Sequence, residues 1–222
     1  SESMVAKYIG QALRHCRGWL QKAGVAACMA LMLGSWMAWQ QAPVWLSDYH
    51  TSTGERRMLT LPDGTRVTLN SASAIKLEFD AHERRVVVVA GEALFETSAD
   101  ARPFVVETTG LPVDGTGARF SVRRDGHVVL GQGAARQGAQ PLSVAPDAEA
   151  QLAWQRGKLI FNGKPLGQVL AELERYRLGR IVLSDQQLAG LEVSGVFDLD
   201  EPQAMLRTLE QRLGVELFDR VG

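Results

Sequence analysis

Residue types capable of chemistry are present in this chain, but they are not spaced to perform it. The four histidines, His15, His50, His82 and His127, lie far apart, and no His-x-x-x-His pair occurs. A metal needs convergent ligands, so these read as surface or turn residues. The only cysteines are Cys16 and Cys28. Everything after Cys28 therefore lacks a disulfide framework and a thiolate metal site, while nothing demands a reducing compartment. No Gly-x-Ser-x-Gly elbow exists, and the serines have no evident His and Asp partners. Asp63, Asp80, Asp100, Asp125 and Asp185 fall at turn signals, where carboxylates satisfy the turn rather than exchange protons. Gly115-Thr116-Gly117 and Gly131-Gln132-Gly133 are isolated, and no helical pattern follows them to present a phosphate cradle. The expectation is no catalytic residue, no metal and no cofactor: the chain does not read as an enzyme.

Three arginine pairs remain, Arg56-Arg57, Arg84-Arg85 and Arg123-Arg124, with Arg175, Arg177 and Arg180 as a further group. Each pair falls at a strand start or a turn, where charge solvates a sheet rim and discourages edge pairing. The functional alternative is a basic strip facing an acidic partner or anionic lipid. Across all 222 residues, 24 basic side chains meet 25 acidic ones for a formal net charge of −1. No global field points to nucleic acid.

The elements that would carry these groups are clearest in residues 54–97, GERRMLTLPDGTRVTLNSASAIKLEFDAHERRVVVVAGEALFET. Apolar alternation at Leu59/Leu61, Val67/Leu69, Ile75/Leu77/Phe79, Val86 to Val89 and Leu94/Phe95 is punctuated by Pro62-Asp63-Gly64, Asn70 to Ser73, Asp80 to Glu83 and Gly91-Glu92. Period-two runs between turn residues predict a compact antiparallel β-unit. Asp63-Gly64 is a hairpin signal, because Gly tolerates the positive φ that tight turns demand.

These segments also carry a resemblance. GERRMLTLPDGTRVTLN, then ERRVVVVAGEALFET, then ARPFVVET, resemble the periplasmic part of FecR-family sigma-factor regulators. The likeness is close over residues 49–108 and returns over 154–218. It implies a single-pass protein of the Gram-negative inner membrane, which relays occupancy of a TonB-dependent outer-membrane transducer to a cytoplasmic sigma factor in iron-transport-type signalling. Gly117-Ala118-Arg119-Phe120-Ser121-Val122 is the nearest match to the family's Gly-Thr-x-Phe-x-Val, with Ala118 in place of Thr.

In chain order, residues 1–22 hold Lys7, Arg14, Arg17 and Lys22 and predict a cytoplasmic juxtamembrane segment. The chain opens on Ser1, as a fragment would, and most of the family's sigma-binding region is expected to be missing. Residues 23–46 predict a transmembrane helix: no charge occurs between Lys22 and Asp48, and about 20 apolar residues suffice to span. Trp36, Trp39 and Trp45 cluster at the far end, and the preceding basic residues put the N-terminus in the cytoplasm. A cleaved signal peptide or a buried helix are the competing readings, and the Trp cluster favours the anchor. Residues 49–130 form the β-unit, and the Gly-, Ala-, Gln- and Pro-rich residues 131–153 read as a linker.

Residues 154–222 change pattern. Lys158 to Phe161 is a strand, Asn162-Gly163 a turn, and Leu166, Val169, Leu170 and Leu173 mark one helical face after Pro165. Two further strands follow, then a helix opened by Asp200 and Gln203 with Met205, Leu206, Leu209 and Leu213 inward, then a last strand. The predicted order is β-α-β-β-α-β, two helices on one small sheet. With VSGVF and VELF, this segment resembles the short N-terminal domain shared by secretins and TonB-dependent transducers. The fold class expected overall is mainly β plus α+β behind one membrane helix.

The function implied is a signal relay, anti-sigma or pro-sigma in sign, in which the periplasmic part binds a transducer's signalling domain and the inner segment answers to a sigma factor. Docking by strand addition at an open sheet edge is expected at Val193, Val196 and Phe197 or at Val215, Leu217 and Phe218. A membrane-anchored envelope-assembly scaffold is the alternative, since secretin-type domains pack into rings; the LTLPDGTRVTLN segment has no place in it.

Overall fold

Alternation in the first half closes two sheets face to face. The computed structural model describes residues 44, 46–183, 185–213 and 217–220. The juxtamembrane segment and nearly all of the span expected at 23–46 lie outside these residues. Among the described residues no helix is long and apolar enough to cross a membrane.

One sheet runs in the order β1 (Tyr49–His50), β4 (Ala74–Phe79), β5 (Arg84–Ala90), β7 (Phe104–Glu107), β8 (Val113–Asp114), β11 (Arg136–Gln137) and β12 (Gln140–Pro141). The other runs β10 (Val128–Gln132), β9 (Arg119–Arg123), β6 (Glu92–Glu96), β3 (Arg66–Leu69) and β2 (Arg57–Thr60). Neighbours are antiparallel except β5 and β7. That exception has a cause: the chain leaves β5, crosses to the other sheet as β6, and returns in its former direction as β7. Inward side chains of both sheets form one core, in which Phe95 of β6 lies 5.6 Å from Phe104 of β7 and 5.7 Å from Phe120 of β9.

The Pro62-Asp63-Gly64 signal is a hairpin turn joining β2 to β3. Gly64 has φ +83°, and its N–H donates to the Leu61 carbonyl at 3.0 Å. Asp63 and Arg84, expected at a solvated turn and rim, are instead buried against each other. Arg84 shares the inward parity of Val86 and Val88 on β5, and its side chain is 0% exposed. Its guanidinium donates to Asp63 Oδ2 (2.7 Å), Ser98 Oγ (3.1 Å) and the Arg102 carbonyl (2.9 Å), and lies 5.3 Å from the Phe104 ring centre. A buried charge persists only with such partners.

Residues 131–153 carry more structure than their composition suggests. Strand β11 pairs with β8 through Arg136↔Asp114 and Gln137↔Val113, and with β12 on its other side. These short polar strands pair through the backbone, and the Gln137 amide donates to the Gly126 carbonyl at 2.8 Å, so hydropathy does not reveal them. A short helix, α1 (Ala148–Gln151), and a 3-10 turn at Ala153–Arg156 then lead into the second half.

That half follows the predicted order: β13 (Lys158–Pro165), α2 (Leu166–Glu174), β14 (Arg180–Leu183), β15 (Glu192–Asp198), α3 (Pro202–Leu213) and β16 (Leu217–Arg220). A 3-10 turn at Gln186–Gly190 precedes β15. The strands make two ribbons rather than one sheet, β13 with β15 and β14 with β16, both antiparallel. Asn162-Gly163 is no turn but an irregularity inside β13, where the register shifts between Phe161 and Lys164 and Gly163 takes φ +59°. The face Leu166, Val169, Leu170, Leu173 is buried as its spacing predicts. It packs in a core that also takes Leu94 of β6 and Val129 of β10, so Leu46–Gly222 forms one compact unit.

Candidate partner-docking site

The two halves of this unit meet on buried polar groups. Asn70, Ser71 and Ser73, in the turn after β3, are buried although their composition is that of a solvent-facing turn. Asn70 Nδ2 donates to Glu92 Oε2 (3.1 Å) and Tyr176 Oη (2.8 Å), and Ser71 Oγ donates to the Arg175 carbonyl (2.5 Å). Glu92 also accepts from Ser121 Oγ and from Arg175 Nη2, each at 2.7 Å. Arg175 Nη1 donates to Glu172, which lies 3.8 Å from Arg123 Nη1.

Arg175 is thus not part of a basic surface cluster. Burial disfavours its charge, but the carboxylates of Glu92 and Glu172 more than compensate and hold the guanidinium protonated. Burial likewise pushes the Glu172 carboxyl above 4.5, opposed by Arg175 and assisted by the charge of Glu92, and it pushes the Tyr176 hydroxyl up. Each group is committed to a neighbour, so the cluster fastens α2 to β3, β6 and β9 and leaves none poised for proton transfer. Asn70, Glu92, Ser121 and Tyr176 were not among the expected functional residues. Tyr176 alone carries a signal, because it extends the buried stripe of α2 by three positions from Leu173.

Of the expected docking residues, Val193 and Phe197 of β15 point into the core, at 5% and 9% exposure, whereas Val196 is 65% exposed. Leu217 and Phe218 lie on β16, in register with Leu183 and Val182 of β14. Val215 lies outside the described residues. The two candidate strands therefore sit in different ribbons.

Two clefts flank the β13–β15 ribbon. The larger, about 800 Å³, lies between the halves and is lined by Trp154, Phe161, Val129 and the charged Arg123, Glu172 and Arg175. The indole N–H of Trp154 has no acceptor among the described residues. The arginines and glutamates of this cleft already bind one another. The second, about 440 Å³, runs between β15 and α3 and is lined by all seven residues of β15 with Glu201, Ala204, Thr208 and Leu209. A groove on a sheet face would touch alternate residues, so contact with seven in succession means that the strand edge lines it.

Among the described residues, no group of three or more His, Cys, Asp or Glu side chains is placed to hold a metal ion.

Comparison with known proteins agrees with this architecture. A crystal structure of a "putative anti-sigma factor" from Parabacteroides distasonis superposes with a TM-score of 0.59 at 25% identity, covering 78% of this chain and 98% of that one. A second crystal structure of the same description gives 0.59 at 24% identity over the same shares and shows the common fold. No curated protein matches this chain. Residues 47–135 match the FecR protein family, and this part of the chain, from before β1 to just before β11, is a FecR-family domain.

Proposed function

We propose that this chain regulates a sigma factor in response to a partner bound by its folded part. The observation that carries the reading is the FecR domain at 47–135, fastened to a second half in a fold that spans 98% of the structure described as a "putative anti-sigma factor". The family is regulatory, and the buried charges of this chain hold the halves together rather than catalyse a reaction. Residues 23–46 serve as a single inner-membrane span, with 1–22 in the cytoplasm on the sigma-factor side and residues 47–222 in the periplasm. The periplasmic partner is the signalling domain of a TonB-dependent transducer. One helix transmits little by rigid movement, so docking acts by changing what proteases reach.

The test titrates the chain in detergent micelles with purified signalling domains of TonB-dependent transducers from the same genome. A complex with one domain at a Kd of about 1 μM or tighter is expected, worth roughly 8 kcal/mol. A sigma-dependent reporter should change when the gene for this chain is deleted. Failure of every signalling domain would remove the transducer from the reading, and an unchanged reporter would remove the sigma factor.

A further inference from the structure

We infer that the free edge of β15 takes up an extended strand of a partner protein that presents basic residues at its ends and an apolar residue against Val196. The inference rests on the docking reading above and narrows it to one edge and one chemistry. Strand β15 pairs with β13 on one side, and among the described residues no strand covers its other side. Such an edge presents unpaired N–H and C=O groups, the means by which extended peptides join sheets.

The groove beside this edge has the dimensions of a strand. Seven residues at about 3.3 Å each give roughly 23 Å of edge, and the neighbouring helix α3 forms the opposite wall. Gly195 presents no side chain to obstruct it, and Val196 offers an apolar contact at 65% exposure. Glu192, Asp198 and Glu201 line the groove, and among the described residues no basic side chain does. Asp198 is held by Lys158 of β13 at one end. A second copy of this chain fits poorly, because antiparallel pairing of two β15 edges would set Glu192 against Asp198 of the other copy. Like charges directly opposite one another destabilise a strand pair. Lysines or arginines flanking an alternating apolar strand meet the same rim favourably.

The test uses the full chain in detergent micelles and two fluorescein-labelled peptides, each five residues of alternating Val and Thr flanked by two Lys or by two Glu at each end. Fluorescence anisotropy should show the Lys peptide binding at least tenfold tighter than the Glu peptide. The double variant Glu192→Lys/Glu201→Lys, both exposed sites, should reverse that preference. Val196→Lys, checked for native circular dichroism, should weaken the Lys peptide at least tenfold, and bound peptide should slow amide exchange across residues 192–198. Equal binding of the two peptides, binding of neither, or affinity unchanged in both variants would overturn the inference. A transducer signalling domain that binds wild type and the double variant alike would also overturn the edge assignment while leaving the docking reading intact. Peptides that behave as expected, with no signalling domain binding, would keep the edge and remove the transducer.

Discussion

Arg175, just after α2, donates through Nη2 to Glu92 at the start of β6 across 2.7 Å, joining residues 83 positions apart. The carboxylate is almost wholly buried, and Asn70 and Ser121 bond to it as well. Removing one partner strands a desolvated charge, which typically costs about 3–5 kcal/mol. Glu92→Gln and Arg175→Met should each lower urea stability of Leu46–Gly222 by an amount in that range. The double variant Glu92→Met/Arg175→Met should lose less than the sum, because neither member of the pair is then left buried without the other. The loss of Arg175 from Glu172 is common to the Arg175 single variant and the double variant. Additive losses would mean that the pair does not couple the halves.

The Asp63–Arg84 pair makes a pH prediction. Burial alone would raise the Asp63 carboxyl, but hydrogen bonds from Thr65 and Arg84 win and hold it below 3.8. The folded carboxyl therefore binds a proton less readily than the unfolded one. Its contribution to stability is present above the unfolded value and lost as pH falls through the folded one. Urea unfolding between about pH 5 and about pH 3 should show a steeper loss for wild type than for Asp63→Asn, which cannot titrate. Parallel curves would exclude Asp63 as the origin of the acid sensitivity.

Two glycines with similar φ should differ in cost. At Gly64 an added Cβ finds its nearest atom 3.9 Å away, so Gly64→Ala should cost only the left-handed penalty, about 1–2 kcal/mol. At Gly91, where the chain crosses from β5 to β6, the Cβ would lie 2.2 Å from Ser73 Oγ and 2.7 Å from the Ala72 carbonyl. Gly91→Ala should add an overpacking cost of about 1–3 kcal/mol to that penalty. It should also disturb the buried turn that binds α2, because Ser73 Oγ accepts the Glu92 N–H at 2.9 Å. Thermal unfolding of the two variants side by side measures the difference.

Much of this architecture can be read from local pattern, and the failures have physical reasons. The stripe Leu166-Val169-Leu170-Leu173 and the Pro62-Asp63-Gly64 turn are governed by neighbours in sequence, and both form as expected. Parity along β5 already places Arg84 with Val86 and Val88, but its charge argued for the rim. Only the three-dimensional arrival of Asp63 makes its burial tolerable. Asn70-Ser71-Ala72-Ser73 has the composition of a turn whether it faces water or another half of the protein, so its role at the junction was not legible. Strands β11 and β12 were hidden for a related reason: their own residues are polar and pair through the backbone. At the candidate site the sequence marks β15, while the groove and its acidic rim depend on how α3 packs back upon it.

The three residues expected to dock through β15 divide into two classes that one experiment separates. Val193 and Phe197 belong to the core, and the Phe197 ring lies 5.7 Å from that of Phe161. Phe197→Ala should cost about 3–5 kcal/mol, and any loss of partner binding would follow from unfolding. Val196 has the opposite parity and faces outward. Val196→Ser should change stability by no more than about 0.5 kcal/mol, as surface substitutions do. If the β15 edge docks a partner, this variant should still lose affinity, because it removes the exposed apolar contact and keeps the strand. Urea unfolding and partner titration on the same two proteins give the answer. Binding that falls only in proportion to stability would mean that β15 serves the core and that the partner docks elsewhere.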